Sequence, residues 1–204
     1  MAVVAVAVIA AAVTGGWYYL SAQDEKASFD LSQAVRTLDT PLRPAGTPAQ
    51  PDFPIFSSAK ERSDAAKKQF QTIVDKYPHT HTADMARYFL GVTDATAGDN
   101  ATAESNLKTV VSGGSKELAS VAKLALAALY SNTNRTKEAV TLYQELISQP
   151  TVSVSKATAQ LQLAELYQTS NQPLDAKRLY EQIKKDNPNP AAVQVATQKL
   201  TELK

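Results

Sequence analysis

Apolar positions recur at intervals of three and four along most of this chain, a spacing that predicts helices rather than strands. From residue 57 onward the pattern also repeats itself. Small residues stand at Ala66, Ala103, Ala139 and Ala176, separated by 37, 36 and 37 positions. Four places after each comes a large apolar residue (Phe70, Leu107, Tyr143, Tyr180), and three further on Ile73, Val110, Leu146 and Ile183. Residues three and four apart share a helix face, so one buried face is drawn four times. The stretch before each of the last three copies repeats too. Leu90-Gly91, Leu126-Ala127 and Leu163-Ala164 are followed by Asp94, Tyr130 and Tyr167, and then by Gly98, Asn134 and Asn171. Gly and Asn tolerate the positive φ of a tight turn. Each unit therefore reads as helix, short turn, helix, with small residues on both helices allowing close approach.

The N-terminal stretch is a different material. Residues 1–23 carry no charge, and Asp24 is the first ionisable side chain. Ala2 to Leu20 matches the roughly 20 apolar residues that cross a hydrocarbon core of about 30 Å. Trp17, Tyr18 and Tyr19 cluster at its charged end, where amphipathic rings favour the membrane–water interface. The expectation is a transmembrane anchor over 1–23, with membrane contact through residues 2–20. A cleaved signal peptide is the alternative, although nothing basic precedes the apolar run and Leu20 is bulky for a small-x-small cleavage site.

Residues 24–56 read as a first helix followed by a proline-rich loop. Ala27, Leu31, Ala34, Val35 and Leu38 share a helix face. Pro41, Pro44, Pro48, Pro51 and Pro54 then exclude regular helix, because each lacks an N–H and crowds the preceding turn. Residues 57–190 form the repeats. Residues 191–204 are expected to be a capping helix with Val193, Ala196, Leu200 and Leu203 as its inner stripe.

Charge and chemistry narrow the function. With 21 Lys+Arg against 20 Asp+Glu, the net charge of +1 lacks the basic excess that phosphate binding needs, so nucleic acid is not the expected partner. The absence of cysteine excludes disulfides, thiolate metal sites and thiol nucleophiles. No serine-hydrolase elbow, phosphate-binding glycine loop or zinc-protease motif occurs. His79 and His81 stand in a joint between units and read as turn and helix start rather than as a metal site. The expected class is a non-enzymatic binding protein with no cofactor and no metal.

The repeated residues resemble the tetratricopeptide repeat. That pattern has Leu-Gly or Leu-Ala, Tyr, a turn residue, Ala, an aromatic residue, and a closing Pro, here Pro78, Pro150 and Pro188. The early Trp of the pattern is replaced by Arg87, Lys123 and Gln160. The resemblance implies an all-α solenoid of helical hairpins behind an N-terminal transmembrane helix. An anchor followed by a divergent repeat domain is similar to the YfgM-type ancillary subunit of the SecYEG translocon. A sister resemblance is to the tetratricopeptide region of the CpoB-type cell-division coordinator. The first resemblance implies a single-pass protein of the bacterial inner membrane with its C-terminal domain in the periplasm. Its partners would be translocon subunits, a membrane-anchored periplasmic chaperone or client segments, and it would help hand over secreted proteins. The alternative is a scaffold for cell division or for outer-membrane and envelope assembly.

In stacked hairpins the first helix of each pair lines the inner surface. The residues expected there are Met85, Tyr88 and Val92; then Val121, Leu124 and Ala128; then Thr158, Leu161, Glu165 and Gln168. The first two sets are apolar enough to hold a segment of another protein, and the third is more polar. Repeats that clamp a C-terminal carboxylate resemble one another in carrying Lys and Asn on these helices. Here no basic pair is available, and Glu165 would repel a carboxylate.

Overall fold

A computed structural model describes residues 2–44, 46, 56–186 and 189–203, with side chains from residue 13 onward. Its elements are helical throughout the described residues: α1 (Ala2–Asp39), α2 (Ala59–Lys76), α3 (His81–Ala97), α4 (Asn100–Gly113), α5 (Lys116–Asn132), α6 (Thr136–Ser148), α7 (Lys156–Thr169), α8 (Pro173–Asp186) and α9 (Pro190–Glu202). They form two compact units, Met1–Ala97 and Gly98–Lys204.

Local chemistry sets the helix ends. Ser58, Asp99, Ser115 and Ser155 cap α2, α4, α5 and α7, each side chain accepting an N–H of the first turn. Asn189 does the same for α9, which opens on Pro190, a residue pre-set for a first helical position. The tight turns at Gly98, Asn134 and Asn171 have φ of 85°, 59° and 58°. These are the three turn residues the repeat spacing singles out.

In the N-terminal unit α1 packs on α2 and on α3. Its second half supplies Ala27, Leu31 and Ala34 to a core with Ala66, Phe70, Ile73 and Leu90, and Val35 and Leu38 pack at the margin. Phe70 stacks on Phe89 with centroids 5.1 Å apart. Polar contacts fix the same helix: the Thr82 N–H donates to Asp24 Oδ1 (2.9 Å), and the Tyr77 hydroxyl donates to Asp30 Oδ2 (3.0 Å). The predicted first helix is thus an integral layer of the repeat packing.

The proline-rich segment from 45 to 55, Gly46 apart, lies outside the described residues, as does Pro188. The base of that segment is closed, because the Arg43 N–H donates to the Phe56 carbonyl (2.9 Å) and Arg62 Nη1 to the Thr40 carbonyl (2.8 Å).

In the C-terminal unit the helices pack in chain order from α4 to α9, and α9 also returns to α7. Ala127 with Ala139, and Ala164 with Ala176, are fully buried at the two hairpins. Tyr143, Leu146, Tyr180 and Ile183 are buried as the repeat spacing requires. The capping helix starts one residue earlier than expected, at Pro190. Its buried stripe runs through Ala192 and Ala196, with Leu200 and Leu203 packed beside them, while Val193 is only half-buried.

Candidate protein-interaction site

The residues expected on the inner surface are all half-buried or exposed. In the N-terminal unit Met85, Tyr88 and Val92 lie half-buried along α3. Met85 packs against the core that α1 completes, so part of its surface is already used within the chain. Tyr88 meets Phe89 edge-on at 5.5 Å, and burial raises its hydroxyl pKa.

In the C-terminal unit Val121, Leu124 and Ala128 are half-buried along α5, as are Leu161 and Gln168 on α7. Thr158 and Glu165 on α7 are exposed. Leu161 packs on the cluster that includes Ala192 and Ala196, so this side chain too is partly engaged internally.

Two of these residues, Ala128 and Glu165, stand on the wall of a cleft of about 480 Å³. The end of α5, the start of α6 and the face of α7 form it, through Ser131, Asn134, Tyr143, Gln162 and Thr169. Repeat spacing marks Tyr143 as core, and its ring is 2% exposed. Burial pushes its hydroxyl pKa up to about 12, and the Glu165 carboxylate adds to the shift. Tyr180 is likewise held at about 12, by burial and then by Glu165 and Glu202, and its hydroxyl donates to Gln168 Oε1 at 3.4 Å. The carboxylate thus faces neutral hydroxyls. The turn residues of this wall follow no apolar period, so hydrophobic spacing does not mark them. The positive-φ Asn134 was the one signal available.

A second polar cluster joins α4, α5 and α6. Glu104 accepts from the Arg135 guanidinium, from Lys108 Nζ (2.6 Å) and from the Tyr130 hydroxyl (2.9 Å). The Arg135 guanidinium lies over the Tyr130 ring at 3.9 Å and also donates to Glu138 (2.7 Å). Arg135, then Lys108, hold the Glu104 carboxyl down to about 2 from its ordinary 4.5. A carboxylate with a lowered folded pKa stabilises the fold above its ordinary pKa and ceases to do so as pH falls toward the folded value. Stability is therefore expected to fall from pH 4.5 toward 2 more steeply in the parent chain than in Glu104→Gln. Urea unfolding at a series of pH values checks this, and parallel acid limbs would rule the cluster out as a contributor. Glu138 is exposed on α6 and also accepts from the Arg135 guanidinium. In the N-terminal unit Asp94 is fully buried where the later units carry Tyr, and Lys67 pairs with it.

On α1, Trp17, Tyr18 and Tyr19 are 71%, 73% and 63% exposed. The side chains of residues 1–12, most of the expected anchor, lie outside the described residues. Among the described residues no helix is long and apolar enough to cross a membrane. His79 and His81 are exposed, and His81 opens α3. Among the described residues no group of three or more His, Asp or Glu could hold a metal.

Capped helical hairpins, a recurring small-residue contact and positive-φ turns at one register define a helical-hairpin repeat protein. The tetratricopeptide repeat-like domain family matches residues 1–150, and the tetratricopeptide repeat family matches residues 158–190. The chain belongs to the tetratricopeptide repeat-like family. No curated protein and no solved structure matches it. Members of this family are protein–protein interaction modules and typically non-catalytic scaffolds, and protein partners follow from membership.

Proposed function

We propose that this protein is a membrane-tethered interaction module on the periplasmic side of a bacterial inner membrane, ancillary to the Sec translocon. In this role it helps pass secreted chains to membrane-anchored chaperones. The observation that carries the reading is α1, one uninterrupted helix from Ala2 to Asp39. Its second half is built into the repeat core through Ala27, Leu31 and Ala34, while its first half is uncharged and ends in exposed Trp17, Tyr18 and Tyr19. A helix of this length extends about 57 Å. Aromatic rings at the charged end of an apolar run suit the bilayer interface. Holding the binding surface beside the membrane raises the local concentration of membrane-bound partners and makes weak contacts sufficient.

The test is gentle solubilisation of native membranes and identification of what co-purifies with the full-length chain. Translocon subunits with a membrane-anchored chaperone support the secretion role. Division or outer-membrane assembly proteins in their place would retain the interaction class and overturn the secretion role. A chain that comes away alone would overturn both.

A further inference from the structure

The geometry points to the cleft between α5, the start of α6 and α7 as a seat for one arginine side chain of a partner protein's extended segment, with Glu165 as its counter-charge. The assignment deepens the interaction reading above and rests on it. The cleft's volume of about 480 Å³ falls within the size range of ligand-binding clefts. Its charge is one-sided. Glu165 is the one carboxylate on the wall, and no Lys, Arg or His lines it. Among the described residues Glu165 is exposed and forms no ion pair, so its carboxylate is open to a ligand.

The rest of the wall selects among cations. Ser131, Asn132, Asn134, Gln162 and Thr169 line the cleft with neutral polar side chains, each of which carries an acceptor oxygen. A guanidinium has five N–H donors in a planar fork, so one face of it can pair with the carboxylate while its other donors meet side-chain oxygens. An ammonium has three donors and leaves more of these acceptors to water. Tyr143 keeps its proton, since burial holds its pKa at about 12, so the wall carries no second negative charge. Ala128, a small apolar residue on the wall, leaves room for the aliphatic stem.

The experiment uses the full-length ¹⁵N-labelled chain in detergent micelles, titrated with Nα-acetyl-arginine amide and followed by amide chemical shifts. Saturable shifts at Ser131, Asn134, Glu165 and Thr169 are expected, with a Kd on the order of millimolar for an isolated side chain. The neutral isostere Nα-acetyl-citrulline amide is expected to bind a few-fold more weakly, as loss of one exposed ion pair allows. Glu165→Gln, an exposed substitution that leaves the core untouched, should abolish saturation without altering the rest of the spectrum. Glu181→Gln, an exposed carboxylate that does not line the cleft, should bind like the parent. Non-saturating shifts, equal binding of citrulline, or binding that survives Glu165→Gln would overturn the seat. If the shifts are absent while partners still co-purify, the arginine seat alone falls. If the shifts are intact and nothing co-purifies, the interaction reading falls, and with it the assignment of the arginine to a partner.

Discussion

Phe70→Ala is expected to destabilise the protein by about 3–5 kcal/mol, the range for truncating a buried aromatic ring. Phe70 is 0% exposed and stacks on Phe89 with the ring planes 9° apart. The core cluster it belongs to is rich in alanine (Ala27, Ala34, Ala66 and Ala86), and such short side chains have little reach to fill the space a lost ring would leave. The cavity therefore stays open, and the cavity cost adds to the lost transfer free energy. For a chain of this size the midpoint of thermal unfolding should drop by on the order of 10 °C. Phe29→Ala is the internal control. Phe29 is 65% exposed on α1, and its removal should change stability by no more than about 0.5 kcal/mol. Thermal and urea unfolding followed by circular dichroism compares the two. Equal effects would mean that α1, α2 and α3 do not share the core described here.

Removal of residues 2–20 should transfer the protein from the membrane fraction to the soluble fraction while leaving the repeat fold intact. Both halves of this expectation come from where α1 changes character. Asp24 ties α1 to the repeat fold, its carboxylate accepting the Thr82 N–H at the start of α3. Ala27, Leu31 and Ala34 follow in the core. The shortened chain should keep its helicity and unfold at the same temperature as the full one. Extending the deletion through Asp39 should do the opposite to stability, because it strips one face from Phe70, Ile73 and Leu90. Sedimentation after an alkaline carbonate wash, with melting curves alongside, reads both outcomes. A shortened chain that still resists the wash would place membrane attachment elsewhere, and a full-length chain in the supernatant would remove the anchor altogether.

The hairpin repeat was legible in the sequence because it rests on local rules. Ala66, Ala103, Ala139 and Ala176 must be small where two helices meet, and Phe70, Leu107, Tyr143 and Tyr180 must be apolar one turn later. Gly98, Asn134 and Asn171 must bear positive φ. Each requirement is met within a few residues along the chain, so period and residue type suffice to read it. The same logic places Met85, Tyr88, Val92, Val121, Leu124 and Ala128 away from the fully buried set.

Contacts between residues distant along the chain were a different matter. Glu104 and Arg135 are 31 positions apart, and nothing in their spacing announces that one guanidinium joins Glu104, Tyr130 and Glu138. Asp94 breaks the Tyr pattern, and its buried pairing with Lys67 depends on how α2 lies against α3. The cleft beside Glu165 is likewise assembled from a helix end, a turn and the face of a third helix. By itself, then, the sequence determined the helices, their hairpin order, the faces they bury and the apolar character of the N-terminal run. These follow from backbone preference and from the period at which apolar side chains leave water. Only the tertiary structure decided which charges pair, how far α1 enters the core, and where a polar hollow opens, because those depend on distances between helices that no local period encodes.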